Sequence, residues 1–233
     1  MSLCQIAEHT ILAQDLSSQS VVVDLGANLG RFSHGIVERF GCKTLAVEAN
    51  PSLCARIASD PRISVLNLAV AATSGTIPLH LSGNCERSSI LSQPLPDVTS
   101  TIEVQAVTLG ELLATAGLPR VDLVKFDIEG AEIEVLDSCS DAFLMAVPQL
   151  TIEFHDFLGL TPRSTVERVL HRLEKLDFLV IGMWREAYGD TLCVNRRHTS
   201  ASLVELLEAQ YITRNWWGLK RVAVRSVKHV MKR

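Results

Sequence analysis

The sequence predicts an open, doubly wound α/β domain whose sheet is mostly parallel and closes in a terminal antiparallel hairpin. Three observations carry this expectation. Val21-Val22-Val23-Asp24-Leu25 is the short β-branched run of a strand buried on both faces, and it breaks on a turn at Gly26 and Gly30 before a helical pattern begins. Strand-like and helix-like runs then alternate along the chain, as parallel sheets with crossover helices require. The last two strand patterns, 178–184 and 190–195, have no helix between them and read as an antiparallel pair.

Composition narrows the class. A chain of 233 residues suits one domain with a full core. With 47% hydrophobic and 21% charged residues it is not a disordered chain. The formal net charge of −4 argues against nucleic-acid binding by bulk charge. Cys4, Cys42, Cys54, Cys85, Cys139 and Cys193 contain no C-x-x-C pair, so they make no zinc pattern. Reduced, packed thiols in a cytoplasmic protein are the expectation. The first residues lack the charged-then-apolar pattern of a secretory leader. No apolar run approaches the ~20 residues of a membrane span.

Taken in order, residues 1–19 carry Ile6, Ile11, Leu12 and Leu16 and are expected as an amphipathic lead-in helix beside the sheet or over its cleft. The first strand leads to a helix in which Phe32, Ile36, Val37 and Phe40 share a face and Gly41 supplies a left-handed end. Residues 43–48 form the second strand. Asn50 then caps, and Pro51 starts, a helix to about Ala58. Residues 62–70 form the third strand. Ser74-Gly75 turns the chain into an alternating run at 76–81, an edge hairpin. Residues 82–100 are polar and form a loop long enough to be functional, with Arg87, Ser88 and Ser89 as groups that face an acceptor or solvent.

A second alternating run, 102–107, reaches a capping box at Thr108 and Glu111 for a helix ending at Gly117. Residues 121–128 form the fourth core strand, followed by a helix with Ile133, Val135 and Leu136. Residues 149–155 form the fifth. Thr161-Pro162 starts a helix whose apolar face is Val166, Val169, Leu170, Leu173 and Leu176. The domain thus spans 20–200, and 201–233 are a C-terminal helix with a basic tail. No acid follows Glu208, whereas Arg214, Lys220, Arg221, Arg225, Lys228, Lys232 and Arg233 do, together with Trp216 and Trp217. Such a tail either docks on the domain by its Trp pair or makes peripheral contact with an anionic membrane.

The glycine turn narrows the ligand. A dinucleotide site needs bare backbone N–H groups in G-x-G-x-x-G, but Asn28 replaces the middle glycine and Arg31 crowds the approach. Asp24 ends the strand just before the turn, where a carboxylate repels pyrophosphate and suits a cationic head. S-adenosylmethionine, with its ammonium and sulfonium, is such a ligand. Glu48 ends the second strand about 20 residues on, where a ribose diol is held. Asn67, near the end of the third strand, is placed to meet an adenine edge.

The segments VVVDLGANLG, VEANP, NLAV, VTLGELL, VDLVKFDIEGAEIEVL and IEFH together resemble the FkbM family of methyltransferases over roughly residues 20–155. The resemblance implies a class I methyltransferase fold and methyl transfer from S-adenosylmethionine, usually to a hydroxyl of a sugar, glycan or natural product. It also implies that Asp24, Gly26, Asn28 and Gly30 form the first cofactor motif and that Glu48 holds the ribose. One departure is the spread of Phe-Glu-Pro into Val47-Glu48-Ala49-Asn50-Pro51.

Ligands of open α/β sheets bind outside the carboxyl ends of the strands. Asp127 and Glu129 end the fourth strand, and Glu153 and His155 end the fifth. These four are the catalytic candidates, with His155 as general base and Asp127 orienting it or meeting the ligand's amino group. A rival reading makes Asp127, Glu153 and His155 ligands of Mg²⁺ or Mn²⁺ that grips a diol. A structural reading leaves Glu129 and Glu132 as solvated first-turn acids. N- or C-methylation, or cofactor binding without turnover, are the alternatives on the same fold.

Overall fold

The structure, a computed structural model, describes residues 3–82, 88–89, 98–158, 161–184 and 187–208. The chain does not open with the expected lead-in helix. It opens with a β-hairpin, β1 (Leu3–Ile6) antiparallel to β2 (His9–Leu12). Ala7 and Glu8 turn it with φ of 45° and 71°, both left-handed as a two-residue primed turn demands. All four residues of β2 are buried, which a one-faced helix cannot provide. Tertiary bonds decide the outcome. Thr10 N and Oγ1 donate to Asp190 at 3.0 and 2.7 Å, and Leu12 N donates to Gln149 Oε1 at 3.0 Å. A single-turn 3₁₀ helix at Ala13–Asp15 then leads into the sheet.

The expected strand–turn–helix unit follows as β3 (Val21–Leu25) and α1 (Arg31–Phe40). Gly41, at φ 71°, ends α1 and donates its N–H to Val37 O. Next come β4 (Lys43–Val47), a short α2 (Pro51–Cys54) capped by Asn50, and β5 (Ile63–Leu66). The expected third strand breaks after Leu66, because Asn67 turns its amide onto the carbonyls of Glu48 and Ala49. Beyond the break, β6 (Ala69–Val70), β7 (Gly75–Ser82), β8 (Ser88–Ser89) and β9 (Val98–Val107) form a second sheet in the order β6-β9-β7-β8. Arg87 and Cys85 lie outside the described residues, as do the side chains of Ser88 and Ser89.

The Thr108–Glu111 capping box forms and starts α3 (Leu109–Thr115). Then come β10 (Leu123–Phe126), α4 (Glu132–Ser138), an unexpected α5 (Asp141–Ala146) capped by Ser140, and β11 (Gln149–Ile152). A 3₁₀ turn at His155–Leu158 precedes α6 (Arg163–Lys175), and β12 (Phe178–Gly182), β13 (Thr191–Asn195) and α7 (Leu203–Glu208) complete the set. The basic tail after Glu208 lies outside the described residues. Among the described residues no helix is long and apolar enough to cross a membrane.

The main sheet runs β12-β13-β11-β10-β3-β4-β5. Its strands β11, β10, β3, β4 and β5 are mutually parallel, and β13 is antiparallel to both neighbours. This is the class I methyltransferase order, with the terminal hairpin where the sequence put it. Val22, Val23, Leu25, Val124, Phe126, Leu150 and Ile152 are fully buried, as a sheet covered on both faces requires. Chain order reverses at β3, which has β4 on one side and β10 on the other. The crevice of such a sheet opens at that point, past the strands' carboxyl ends.

Candidate functional site

The turn after β3 is held by close backbone packing. Gly26 has φ +76°, and a Cβ there would sit 1.8 Å from the carbonyl oxygen of Asp127, so no side chain fits. The N–H groups of Gly26 and Ala27 both donate to Val47 O, at 3.0 and 2.9 Å. Asn28, at φ 53°, donates its N–H to Glu48 Oε2 at 2.7 Å. Asn50 N donates to the other oxygen at 2.8 Å. Glu48 therefore ties the two cleft walls together. Burial raises its carboxyl above the usual range, against the pull of those two N–H groups and of Lys125. Gly30 takes φ 75° at the start of α1. A cleft open at its mouth lies over this turn between Gly26, Asn28, Glu48, Ala49, Asp127 and Glu129. Asn67 stands beside it, with its amide nitrogen 2.8 Å from Glu48 O.

Asp24 does not line the cleft. It is fully buried, with Oδ1 2.9 Å from Lys125 Nζ and Oδ2 accepting from Ser33 Oγ at 2.6 Å. The cation that meets this carboxylate is internal. Lys125 also donates to Gly26 O at 2.9 Å, so the pair fixes the turn from beneath. Burial opposes a charge on Lys125, but Asp24 and Asp127 outweigh it and hold the ammonium above its ordinary range.

Beyond the turn, charged groups from three segments converge. Asp127 Oδ2 lies 3.4 Å from Lys125 Nζ and 3.5 Å from His9 Nε2. Burial disfavours the Asp127 carboxylate, yet Lys125 and His9 outweigh it and hold its pKa well below the usual carboxylate range. His9 comes from β2, and its ring packs edge-on against Phe32 at 5.6 Å between centroids. Glu129, at φ 53°, brings Oε2 within 3.4 Å of His155 Nε2, and Asp127 Oδ1 lies 3.8 Å from the same nitrogen. Glu132 is buried rather than solvated. Its Oε1 accepts from the N–H groups of Ile128 and Gly130 at 2.9 and 3.1 Å and from His155 Nδ1 at 3.1 Å.

This surrounding changes what His155 can do. Burial opposes its charge, but Glu132, Glu129 and Asp127 outweigh that and push it up to about 10. These carboxylates favour the imidazolium form, unlike the free base expected from the sequence. Glu153 shifts differently. Burial, and then the negative charge of Asp127, push it up to about 7, against the opposing charge of His155.

The metal reading fits poorly. The grouped donors are His9–Asp127–Glu153 and Asp127–Glu129–His155, each with ligand atoms within 4.8 Å, rather than Asp127, Glu153 and His155 together. Both share Asp127, whose neighbour is the Lys125 ammonium. His155 Nδ1 is already engaged by Glu132 at 3.1 Å. Sequence reasoning missed His9, Lys125 and the burial of Glu132. Only Lys125 left a signal, as the one cation inside the apolar run of β10.

Residues 24–180 match the methyltransferase FkbM domain. The chain belongs to the FkbM methyltransferase family. Methyltransferase sdnD of Sordaria araneosa is 26% identical over 192 residues, covering 67% of this chain and 74% of that protein. Hexuronic acid methyltransferase AglP of Haloferax volcanii is 23% identical over 187 residues, covering 74% of each. The 31-O-demethyl-FK506 methyltransferase FkbM of Streptomyces tacrolimicus is 31% identical over 84 residues, or 36% of this chain and 32% of that protein. This FkbM methyltransferase is S-adenosylmethionine-dependent, and its cleft suits that cofactor. A cradle where a Cβ at Gly26 would strike backbone leads to a carboxylate at the tip of β4. The hairpin that supplies His9 precedes the matched segment.

Proposed function

We propose that this methyltransferase transfers the methyl group to a hydroxyl oxygen of a sugar, glycan or natural-product acceptor. Gly26, Asn28 and Gly30 cradle the cofactor. Glu48 receives the ribose hydroxyls on the lone pairs that its two N–H donors leave free. Asp24 and Asn67 act one step removed, Asp24 through Lys125 and Asn67 by tying the end of β4. Bound S-adenosylmethionine supplies an electrophilic methyl group and a neutral thioether leaving group. The chain's own residues exclude water, orient the acceptor and take its proton.

The observation that carries this reading is the group of carboxylates at the ends of β10 and β11, directly beside the cofactor cleft. A hydroxyl is a poor nucleophile and needs a proton acceptor of near-neutral pKa, which Glu153 offers. The names of the Haloferax and Streptomyces relatives, a hexuronic acid methyltransferase and a 31-O-demethyl methyltransferase, support an oxygen acceptor of this class.

The test is incubation of the purified protein with S-adenosylmethionine and a panel of glycosides, uronic acid glycosides and polyketide alcohols. The expected product carries one added methyl on oxygen, located by NMR. Methylation confined to amine or carbon acceptors in a matched panel would sink the oxygen reading.

A further inference from the structure

The sheet order sets three acidic groups in a row past the strand ends, Glu48 after β4, Asp127 after β10 and Glu153 after β11, with Asp24 buried within β3 beneath the glycine turn between them. At about 4.8 Å per strand, Glu153 stands some 14 Å from Glu48 along this row. It lies beyond Asp127 on the side away from the ribose position. The cofactor cleft ends at Asp127 and Glu129, so Glu153 belongs to the space next to it.

These carboxylates differ in what they are free to do. Asp24 is bound by Lys125 and Ser33. Glu48 is bound by two backbone N–H groups. Asp127 is bound by Lys125 and His9. Glu153 uses its backbone N–H on Phe126 O at 2.8 Å, and among the described residues its half-buried carboxylate accepts no hydrogen bond.

We propose that Glu153, and not His155, receives the proton of the acceptor hydroxyl, with His155 held as a fixed cation beside it. The inference rests on the hydroxyl-acceptor reading above. In the step, the acceptor O–H bond breaks and its electron pair stays on oxygen. The proton joins a carboxylate oxygen of Glu153, leaving a neutral carboxylic acid that returns the proton to solvent after turnover. His155 is the poorer acceptor, because Nε2, the nitrogen left once Nδ1 meets Glu132, lies 3.4 Å from Glu129 and 3.8 Å from Asp127, two anions that favour a proton on it. The groups facing Glu153 are Asp127 and Glu129 from the segment after β10, Lys125 from β10, His155 from its own turn and His9 from β2. Burial first, and then the charge of Asp127, raise its affinity for a proton toward neutrality, where a carboxylate both accepts and releases one.

The experiment pairs a titration with turnover. Protein carrying ¹³C at the glutamate carboxyls, saturated with S-adenosylhomocysteine, is titrated from pH 5 to 9 by NMR. One carboxyl is expected to titrate near 7 and to vanish in E153Q. With methyl glucuronide as acceptor, or another hydroxyl probe found in the panel, kcat is expected to rise with pH through the same midpoint. E153Q is expected to lose about 100-fold in kcat, with S-adenosylhomocysteine affinity within about twofold of wild type. Formate is expected to restore part of the turnover of E153A, which a purely structural side chain would not permit. A Glu153 carboxyl already ionised at pH 5, or an E153Q enzyme with full turnover and an unchanged pH profile, overturns the proposal. Methylation of nitrogen or carbon alone by the wild-type enzyme sinks the hydroxyl reading and this step with it. O-methylation at undiminished turnover in E153Q sinks this step alone.

Discussion

Lys125 Nζ lies 2.9 Å from Asp24 Oδ1, and both side chains are almost wholly removed from solvent. A buried pair contributes little net stability compared with an apolar pair of the same shape, because desolvation offsets the attraction. Removing one partner is different, since the other charge stays buried alone. K125M is expected to cost about 3–5 kcal/mol in urea unfolding. The double variant D24N/K125M should lose much less than the sum of the single losses. Additive losses would show that the pair is not coupled.

The His155–Glu132 contact makes stability depend on pH. The folded pKa of His155, about 10, is raised above its ordinary 6.5. The folded state therefore holds the proton more tightly than the unfolded chain. Its contribution is fully present below pH 6.5 and is lost as pH rises through about 10. Unfolding free energy measured at pH 6 and pH 9.5 should fall by an amount on the order of 2–4 kcal/mol in wild type from this group. H155Q should flatten that fall. A ring ¹⁵N spectrum showing neutral His155 at pH 7.5 would refute the assignment directly.

Glu153 gives the same sign over a more acidic window. Its folded pKa, about 7, exceeds the ordinary 4.5, so folding is favoured while it is protonated and loses that favour as pH rises through 7. E153Q stays neutral throughout. It should match wild type at pH 4.5 and exceed it at pH 8 by roughly 1–2 kcal/mol, allowing for partial solvent screening. A stabilising substitution at the expense of turnover is the signature of a strained functional group. Lower stability of E153Q at both pH values would instead mark Glu153 as structural.

The strands, the mostly parallel sheet and the glycine turn were legible because each rests on local chemistry: β-branched runs, a turn that admits only glycine at Gly26, and caps at Asn50 and Thr108. The hairpin at the start was not. Ile6, Ile11 and Leu12 satisfy a helical spacing, and only the distant partners Gln149 and Asp190 turn the segment into strands. His9 reaches Asp127 by that same route, across 118 residues of sequence. The state of His155 was illegible for a related reason. Its neighbour Glu132 reads as an exposed first-turn acid, yet the turn at Glu129 and Gly130, with φ of 53° and 106°, folds its carboxylate inward onto two N–H groups and the ring.

Glu48 was legible, and its role is open to a sharp test. Each oxygen already accepts one backbone N–H, from Asn28 and Asn50. E48A therefore leaves two donors without their partner and should cost about 1–3 kcal/mol of stability whatever the ligand does. Weaker binding alone would not separate ribose recognition from a loosened cleft. A cycle does separate them. Calorimetry on folded wild type and E48A is run with S-adenosylhomocysteine and with its 2′,3′-dideoxy analogue. Wild type is expected to bind the analogue about 10- to 100-fold more weakly than S-adenosylhomocysteine, and E48A should bind the two almost equally, because the carboxylate that meets the diol is gone. Equal discrimination by both proteins would mean that Glu48 shapes the cleft without touching the ribose.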